Sequence, residues 1–170
     1  MIIAISGTPG TGKTFIAKKL AKVARGKLEY FDLNKYIKDN KLYDSYDKIA
    51  KTYDVDVELL KKYINPTLKK NMSKDNVMNT LAGKTVKVDV LLKKIKKSKT
   101  EGIIVDSHLS HYLDSDYCII VRTDLKKLYK RLQERKYPKA KIHDNIESEI
   151  FEVCLDEARK LKRKIIIVEN

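Results

Sequence analysis

The stretch "GTPGTGKT", Gly7 to Thr14, restricts what this chain can fold into more than any other segment. It matches the pattern G-x-x-x-x-G-K-[ST] in full. The apolar run "MIIAIS" precedes it, and Ala17, Leu20, Ala21 and Ala24 follow at helical spacing with Lys18, Lys19 and Lys22 opposite. A buried strand, a glycine-rich turn and an amphipathic helix in that order is the setting that gives the pattern its meaning. Gly7, Gly10 and Gly12 let the backbone wrap a phosphate with its N–H groups, and the helix N-terminus adds partial positive charge. In that arrangement Lys13 reaches the β- and γ-phosphates of a nucleotide, and the Thr14 hydroxyl binds Mg²⁺. The expected ligand is ATP with Mg²⁺.

Short apolar runs alternate with helical patterns along the rest of the chain. "LEYF", "GIIVD", "YCIIVR" and "KIIIV" read as four more buried strands. Asp124 caps a helix with Leu125, Leu128, Tyr129 and Leu132 in one stripe, and Pro138 ends it near Tyr137. An acid-rich helix follows from about Asp144, with Ile146, Ile150, Val153 and Leu161 inward. Apolar strands separated by helices imply an α/β fold, a five-stranded parallel sheet with helices on both faces. With 170 residues the chain fits a single domain. From about Asp39 to Thr100 no strand is evident, and the segment reads as a helical insertion. It includes a helix through Val88, Leu91, Leu92 and Ile95, with the lysines of "KKIKKSK" on its exposed back. No internal repeat stands out.

A phosphate loop of this kind needs an acid at the end of a neighbouring strand to complete the Mg²⁺ shell. "IIVD" supplies Asp106 in that role, directly or through a water. "DSHLSH" continues from it and holds two of the chain's three histidines. A zinc site there wants a third protein ligand, and Asp106 is already employed. His111 reads as a satisfied core or surface residue. His108 lies at the C-terminal edge of a central strand, where such sheets bind ligands, and can orient Asp106 or an attacking water. Cys118 and Cys154 sit in apolar surroundings without CxxC spacing and read as small core residues.

Which phosphate-binding protein this is depends on what is missing. "LNKY" lacks the aspartate of a guanine-reading N-K-x-D motif and comes too early for one, and the chain is short for a helicase. A small kinase remains, with a second-substrate pocket and an arginine-bearing lid. Arg131 and Arg135 are four apart and share a helix face just before Pro138, placed to close on ATP. The net charge of +14 fits an anionic partner, though solvated helix backs account for much of it. No apolar run approaches the ~20 residues of a membrane span. Met1 leads straight into a strand, so a cytoplasmic protein without a leader is expected.

"GTPGTGKT", "LYDSYD", "VDSHLSH", "VRTDLKKLYKRLQERKY" and "KIHDNIESEIFEV" occur in the order seen in adenylate kinase isoenzyme 6. The chain resembles that family, and "HLSH" resembles its archaeal members most. The resemblance implies a P-loop nucleoside monophosphate kinase fold with a monophosphate-binding region over about 32–90 and a lid over about 134–144. It implies transfer from ATP to AMP giving two ADP, with broad nucleotide tolerance, an ATPase side activity and a role in maturing the small ribosomal subunit. The alternative is an ATP-gated ribosome assembly factor whose ATPase, not kinase, activity matters, and a monomer is expected. A ribosomal protein and rRNA would be its partners there. By motif match, ATP binding falls on Gly7, Gly10, Gly12, Lys13, Thr14, Phe15, Arg131 and Arg135, and monophosphate binding on Asp32 and Lys38. Lys13, Asp106, His108 and Arg135 are the expected catalytic residues, and Thr14 and Asp106 the Mg²⁺ ligands. Two departures from the family stand out: the insertion at about 60–86 is longer than its pattern, and Lys38 stands where the human member carries an arginine, which implies weaker or less specific phosphate capture there. Unlike ordinary adenylate kinases, the segment from Asn145 to Ala158 lacks arginines, which implies modest turnover.

Overall fold

The computed structural model describes residues 1–48, 52–68, 76–99 and 101–170. Its centre is a fully parallel six-stranded sheet in the order β2-β6-β1-β7-β8-β5. The strands are β1 (Ile2–Ser6), β2 (Leu28–Asp32), β5 (Thr85–Lys87), β6 (Gly102–Asp106), β7 (Tyr117–Arg122) and β8 (Ile165–Glu169). A separate antiparallel hairpin pairs β3 (Ser45–Asp47) with β4 (Thr52–Asp54). The helices are α1 (Lys13–Val23), α2 (Leu33–Asp39), α3 (Val57–Leu68), α4 (Asn76–Leu81), α5 (Val88–Lys97), α6 (Leu125–Glu134), α7 (Lys139–Ile150) and α8 (Val153–Lys160).

Strand alternation divides the apolar residues between two faces. Ile3, Ile5, Ile119, Val121, Ile166 and Val168 point to one face, where Ile16, Ala17 and Leu20 of α1, Met78 and Leu81 of α4, and Leu91 and Ile95 of α5 cover them. On the other face, Ile2 and Val105 meet Leu33 and Ile37 of α2 and Leu60, Ile64 and Leu68 of α3. Ala4, Cys118 and Ile120 meet Leu155 and Ala158 of α8 on that same side. Both faces are therefore dry, as buried parallel strands require.

The expected α/β fold is present, with one strand more than expected. β5 lies inside the presumed all-helical insertion and adds to the sheet edge at β8, Val86 opposite Val168. It spans three residues, too few for a strand periodicity to show. The strands of the hairpin β3–β4 are equally short, and tilted tyrosine rings pack on it, with Tyr53 centred 4.5 Å from Tyr43 and 4.7 Å from Tyr46. Two of the three strands of the insertion, β4 and β5, also begin a short repeat. "TYDVDVELLKK" (β4 into α3) and "TVKVDVLLKK" (β5 into α5) share their pattern except for one inserted residue. The part of the insertion at 69–75 lies outside the described residues.

The acid-rich segment is two helices, not one. Glu152 has φ +54° and breaks it between α7 and α8. The inward face of α7 is accordingly offset from the apolar pattern. Ile142, Asn145 and Glu149 are buried, whereas Ile150 is 51% and Val153 38% exposed. Along α6, Leu128 and Leu132 are buried as expected, but Leu125 and Tyr129 face solvent. The expected lid, 134–144, is a turn followed by the first residues of α7.

Candidate functional site

The phosphate loop sits at the C-terminal end of β1, the strand from which the chain runs first to one edge of the sheet and later to the other. Crevices at such points are where open α/β sheets bind ligands. Gly7, Gly10 and Gly12 all have positive φ, at +135°, +100° and +99°. A side chain on Gly7 would collide with the carbonyl oxygen of Val121 on β7, so only glycine permits this approach. Carbonyls on the back of the loop are tied down. Arg131 donates to the oxygens of Gly10 and Thr11, each at 3.3 Å, and Asn170 donates to Thr11 O at 2.7 Å. Arg131 is thus placed behind the loop as a brace, and it does not line the cavity in front.

That cavity has a volume of about 1070 Å³. Gly10, Gly12, Lys13, Thr14 and Phe15 line it, together with Asp106 at the end of β6 and His108 just after it. Asp32 and Lys38, the β4 residues Thr52 and Tyr53, and Arg135, Tyr137 and Lys141 line the same cavity. Of the expected site residues, Gly7 and Arg131 alone are not at its surface. Lys141 of α7 donates to Thr52 Oγ1 at 2.8 Å, so α7 touches the hairpin. A smaller cavity of about 630 Å³ is lined by Asn170, by Arg122 to Asp124 and by Lys87 and Asp89 of the insertion.

Charge is arranged for an anion carrying a cation. Lys13 is half-buried, and its ammonium donates to Thr8 O at 3.0 Å. Burial, and secondarily the nearby Arg135 guanidinium, lower its pKa to about 8, partly offset by Asp106 and Glu149. Asp106 is 2% exposed. Burial holds its carboxyl above the usual carboxylate range, although Thr14, Tyr30 and Lys13 pull the other way. Tyr30 donates to Oδ2 at 3.1 Å, and Oδ1 is buried without a hydrogen-bond partner among the described residues. A buried carboxylate oxygen left unpaired beside the Thr14 hydroxyl suits a hard cation, which takes oxygen ligands and keeps several waters. Thr14 and Asp106 therefore fit Mg²⁺. Asp32 is the register partner of Asp106 on β2 and spends one oxygen capping α2. His108 is held neutral, its pKa down at about 4, by burial first and then by the positive charge of Lys13.

Lys13 supplies a pH prediction. Protonated lysine binds phosphate, and phosphate raises the lysine pKa above its free value of about 8. ATP affinity should therefore be flat below pH 8 and fall above it, by up to about tenfold per pH unit. Calorimetry at pH 8.5 in buffers of different ionisation heat should show proton uptake on binding. Proton release, or a flat profile to pH 9.5, would contradict this assignment.

One residue escaped the sequence reading. Glu149 of α7, 5% exposed, accepts from Thr8 Oγ1 at 2.6 Å and from Thr123 N at 3.3 Å, and lies 3.8 Å from Arg122. Arg122 also pairs with Glu152. Thr8 in turn receives the Lys13 ammonium, so Glu149 positions the lysine through the loop. A glutamate in an acid-rich helix carries no sequence mark of this. Only its alignment with Ile142 and Asn145, three and four residues apart, indicates an inward position. Glu149→Ala should cost about 1–3 kcal/mol of stability, the penalty for leaving buried donors unpaired. Urea unfolding would measure it, and a loss within 0.5 kcal/mol, the range of about ±0.5 typical of surface changes, would contradict the role.

The family model described as AAA domain matches residues 3–152. An adenylate kinase isoenzyme 6 homolog of Schizosaccharomyces pombe is 33% identical, the match covering 98% of this chain and 79% of that one. A protein of Methanocaldococcus jannaschii, whose name also carries the words adenylate kinase, is 33% identical over 94% of this chain and 72% of its own length. Among solved structures, a sugar kinase from Janibacter sp. HTCC2649 superposes with a TM-score of 0.50 at 12% identity, covering 99% of this chain and 84% of that one. That last likeness concerns the fold alone. Near-full-length identity to the named homologues carries the assignment, and the chain belongs to the adenylate kinase isoenzyme 6 family.

Proposed function

We propose that this protein is a nucleoside monophosphate kinase of adenylate kinase type, moving the terminal phosphoryl group of ATP to AMP. The observation that carries this reading is the one cavity shared by the phosphate loop, α2 and the hairpin. Ligand pockets are usually about 300–1,000 Å³, and one of about 1070 Å³, lined both by the phosphate loop and by Asp32 and Lys38, has room for two nucleotides. In this reading Lys13 and the loop N–H groups hold the donor phosphates, Lys38 attracts the acceptor phosphate, and Arg135 neutralises charge on the group in transit. Thr14 and Asp106 hold Mg²⁺, which when bound offsets charge on the phosphate oxygens. Tyr137 and Lys141 exclude water from the side. Arg135 is the only arginine among the described lining residues, which supports a modest turnover.

A second reading rests on His108. A neutral imidazole beside Asp106 can orient a water, which supports an ATPase side activity. The charge of +14 and the family resemblance support action on the small ribosomal subunit and its rRNA in the cytoplasm, the protein working as a monomer. Steady-state assays with ATP, with and without AMP, counting ADP and free phosphate separately, test both readings. The kinase reading expects AMP-dependent ADP formation to dominate. Phosphate release indifferent to AMP would leave only the ATPase. His108→Ala should lower phosphate release more than ATP binding, and equal losses in both would mean a structural histidine.

A further inference from the structure

Behind the phosphate loop lies a polar cluster that nucleotide chemistry does not use. His111, 1% exposed, sits in the short 3₁₀ turn Ser110–Tyr112. Its Nδ1 is 2.7 Å from Ser6 Oγ, and its Nε2 is 3.0 Å from Glu157 Oε2. Ser6 Oγ also donates to the carbonyl oxygen of His108 at 2.9 Å. A carbonyl only accepts, so the single serine proton goes there, and the proton between Ser6 and His111 must be carried by Nδ1. A neutral imidazole then turns the bare lone pair of Nε2 toward a carboxylate oxygen. Two acceptors at that distance repel unless positive charge lies between them.

Cys154 completes the arrangement. Cys154 and Glu157 are three apart on α8 and share the face that meets His111. One ligand atom from each of the three residues lies within 4.8 Å of the other two. We propose that His111, Cys154 and Glu157 form a site for a zinc-type divalent cation. Nitrogen, thiolate and carboxylate together suit Zn²⁺, which accepts all three and leaves a fourth position to water. Ser6 acts as the outer partner that fixes the ligating tautomer, as metal-bound histidines require. The Glu157 side chain is 32% exposed, which gives the ion a way in. Bound there, the ion clamps α8 to the turn after β6 and, through Ser6, to the root of the phosphate loop.

The full chain, stripped with chelator under reducing conditions, is titrated with Zn²⁺ and with Co²⁺. The proposal expects one equivalent of Zn²⁺, a raised thermal midpoint, and for Co²⁺ a near-ultraviolet thiolate-to-metal band. Cys154→Ser should abolish the band and weaken Zn²⁺ binding by at least the roughly 10–100-fold that loss of an outer partner costs. Glu157→Gln, at a partly exposed position, should weaken binding while keeping the band, and serves if the cysteine variant misfolds. Cys118→Ser and His143→Ala should leave the band intact, the latter because His143, Asp144 and Glu147 form the other ligand cluster among the described residues. Cobalt binding without a thiolate band, a band that survives Cys154→Ser, or no binding at all would overturn the proposal. An ion pair of protonated His111 with Glu157 would then account for the contact.

Discussion

Lys13→Met is expected to lower phosphoryl transfer by roughly 10²–10³-fold, the cost of removing one preorganised charge from a transition state. The ammonium is fixed by the helix that follows Gly12 and by its bond to Thr8 O. Methionine keeps the unbranched stem and removes the cation. Burial already disfavours that cation, so folding should not suffer, and the thermal midpoint should be unchanged or higher. Steady-state kinetics with ATP and AMP, beside thermal unfolding, make the check. Activity within fivefold of wild type would remove Lys13 from the chemistry.

Asp106→Asn should separate activity from stability in the same way. Activity should fall by a similar 10²–10³-fold, and the Mg²⁺ concentration for half-maximal rate should rise. Stability should increase at neutral pH by about 1–3 kcal/mol, because the wild-type carboxylate is buried with one oxygen unpaired. The sign follows from its titration. Burial raises the folded pKa above the unfolded value, so the native carboxyl holds its proton longer, and wild-type stability falls as pH rises through that window. The advantage of the asparagine variant should therefore shrink in acid, where both forms are neutral. An asparagine variant less stable than wild type at pH 7 would contradict this account of the site, in which function keeps a costly charge in place.

The loop, the five long strands and the strand-end acid were legible in the sequence because each has a local cause. Gly7 must be glycine to pass Val121, Lys13 follows a fixed pattern, and Asp106 ends a run of apolar residues. What was not legible depends on partners far along the chain. β5 becomes a strand only by pairing with β8, which lies about eighty residues later. Glu149 faces inward because Thr8, Thr123 and Arg122 meet it there, overriding the apolar pattern of Ile150 and Val153. Arg131 and Arg135 looked equivalent four residues apart on one helix. Arg135, at the C-cap, reaches the cavity, whereas Arg131, one turn earlier, meets the loop carbonyls and is used up. His111 read as a bland residue, and its hydrogen bonds span 105 and 46 residues of sequence.

The central claim is that one continuous site holds donor and acceptor nucleotides together. Its most direct test is the affinity of a dinucleotide joining two adenosines through five phosphates, measured by calorimetry against ATP alone. One molecule per chain, bound at least about 10²-fold more tightly than ATP, is the predicted result. Lys38→Ala should remove most of that excess and leave ATP affinity unchanged, because Lys38 lines the cavity from α2 and not from the phosphate loop. A dinucleotide that binds no better than ATP, or an excess that survives Lys38→Ala intact, would contradict the account.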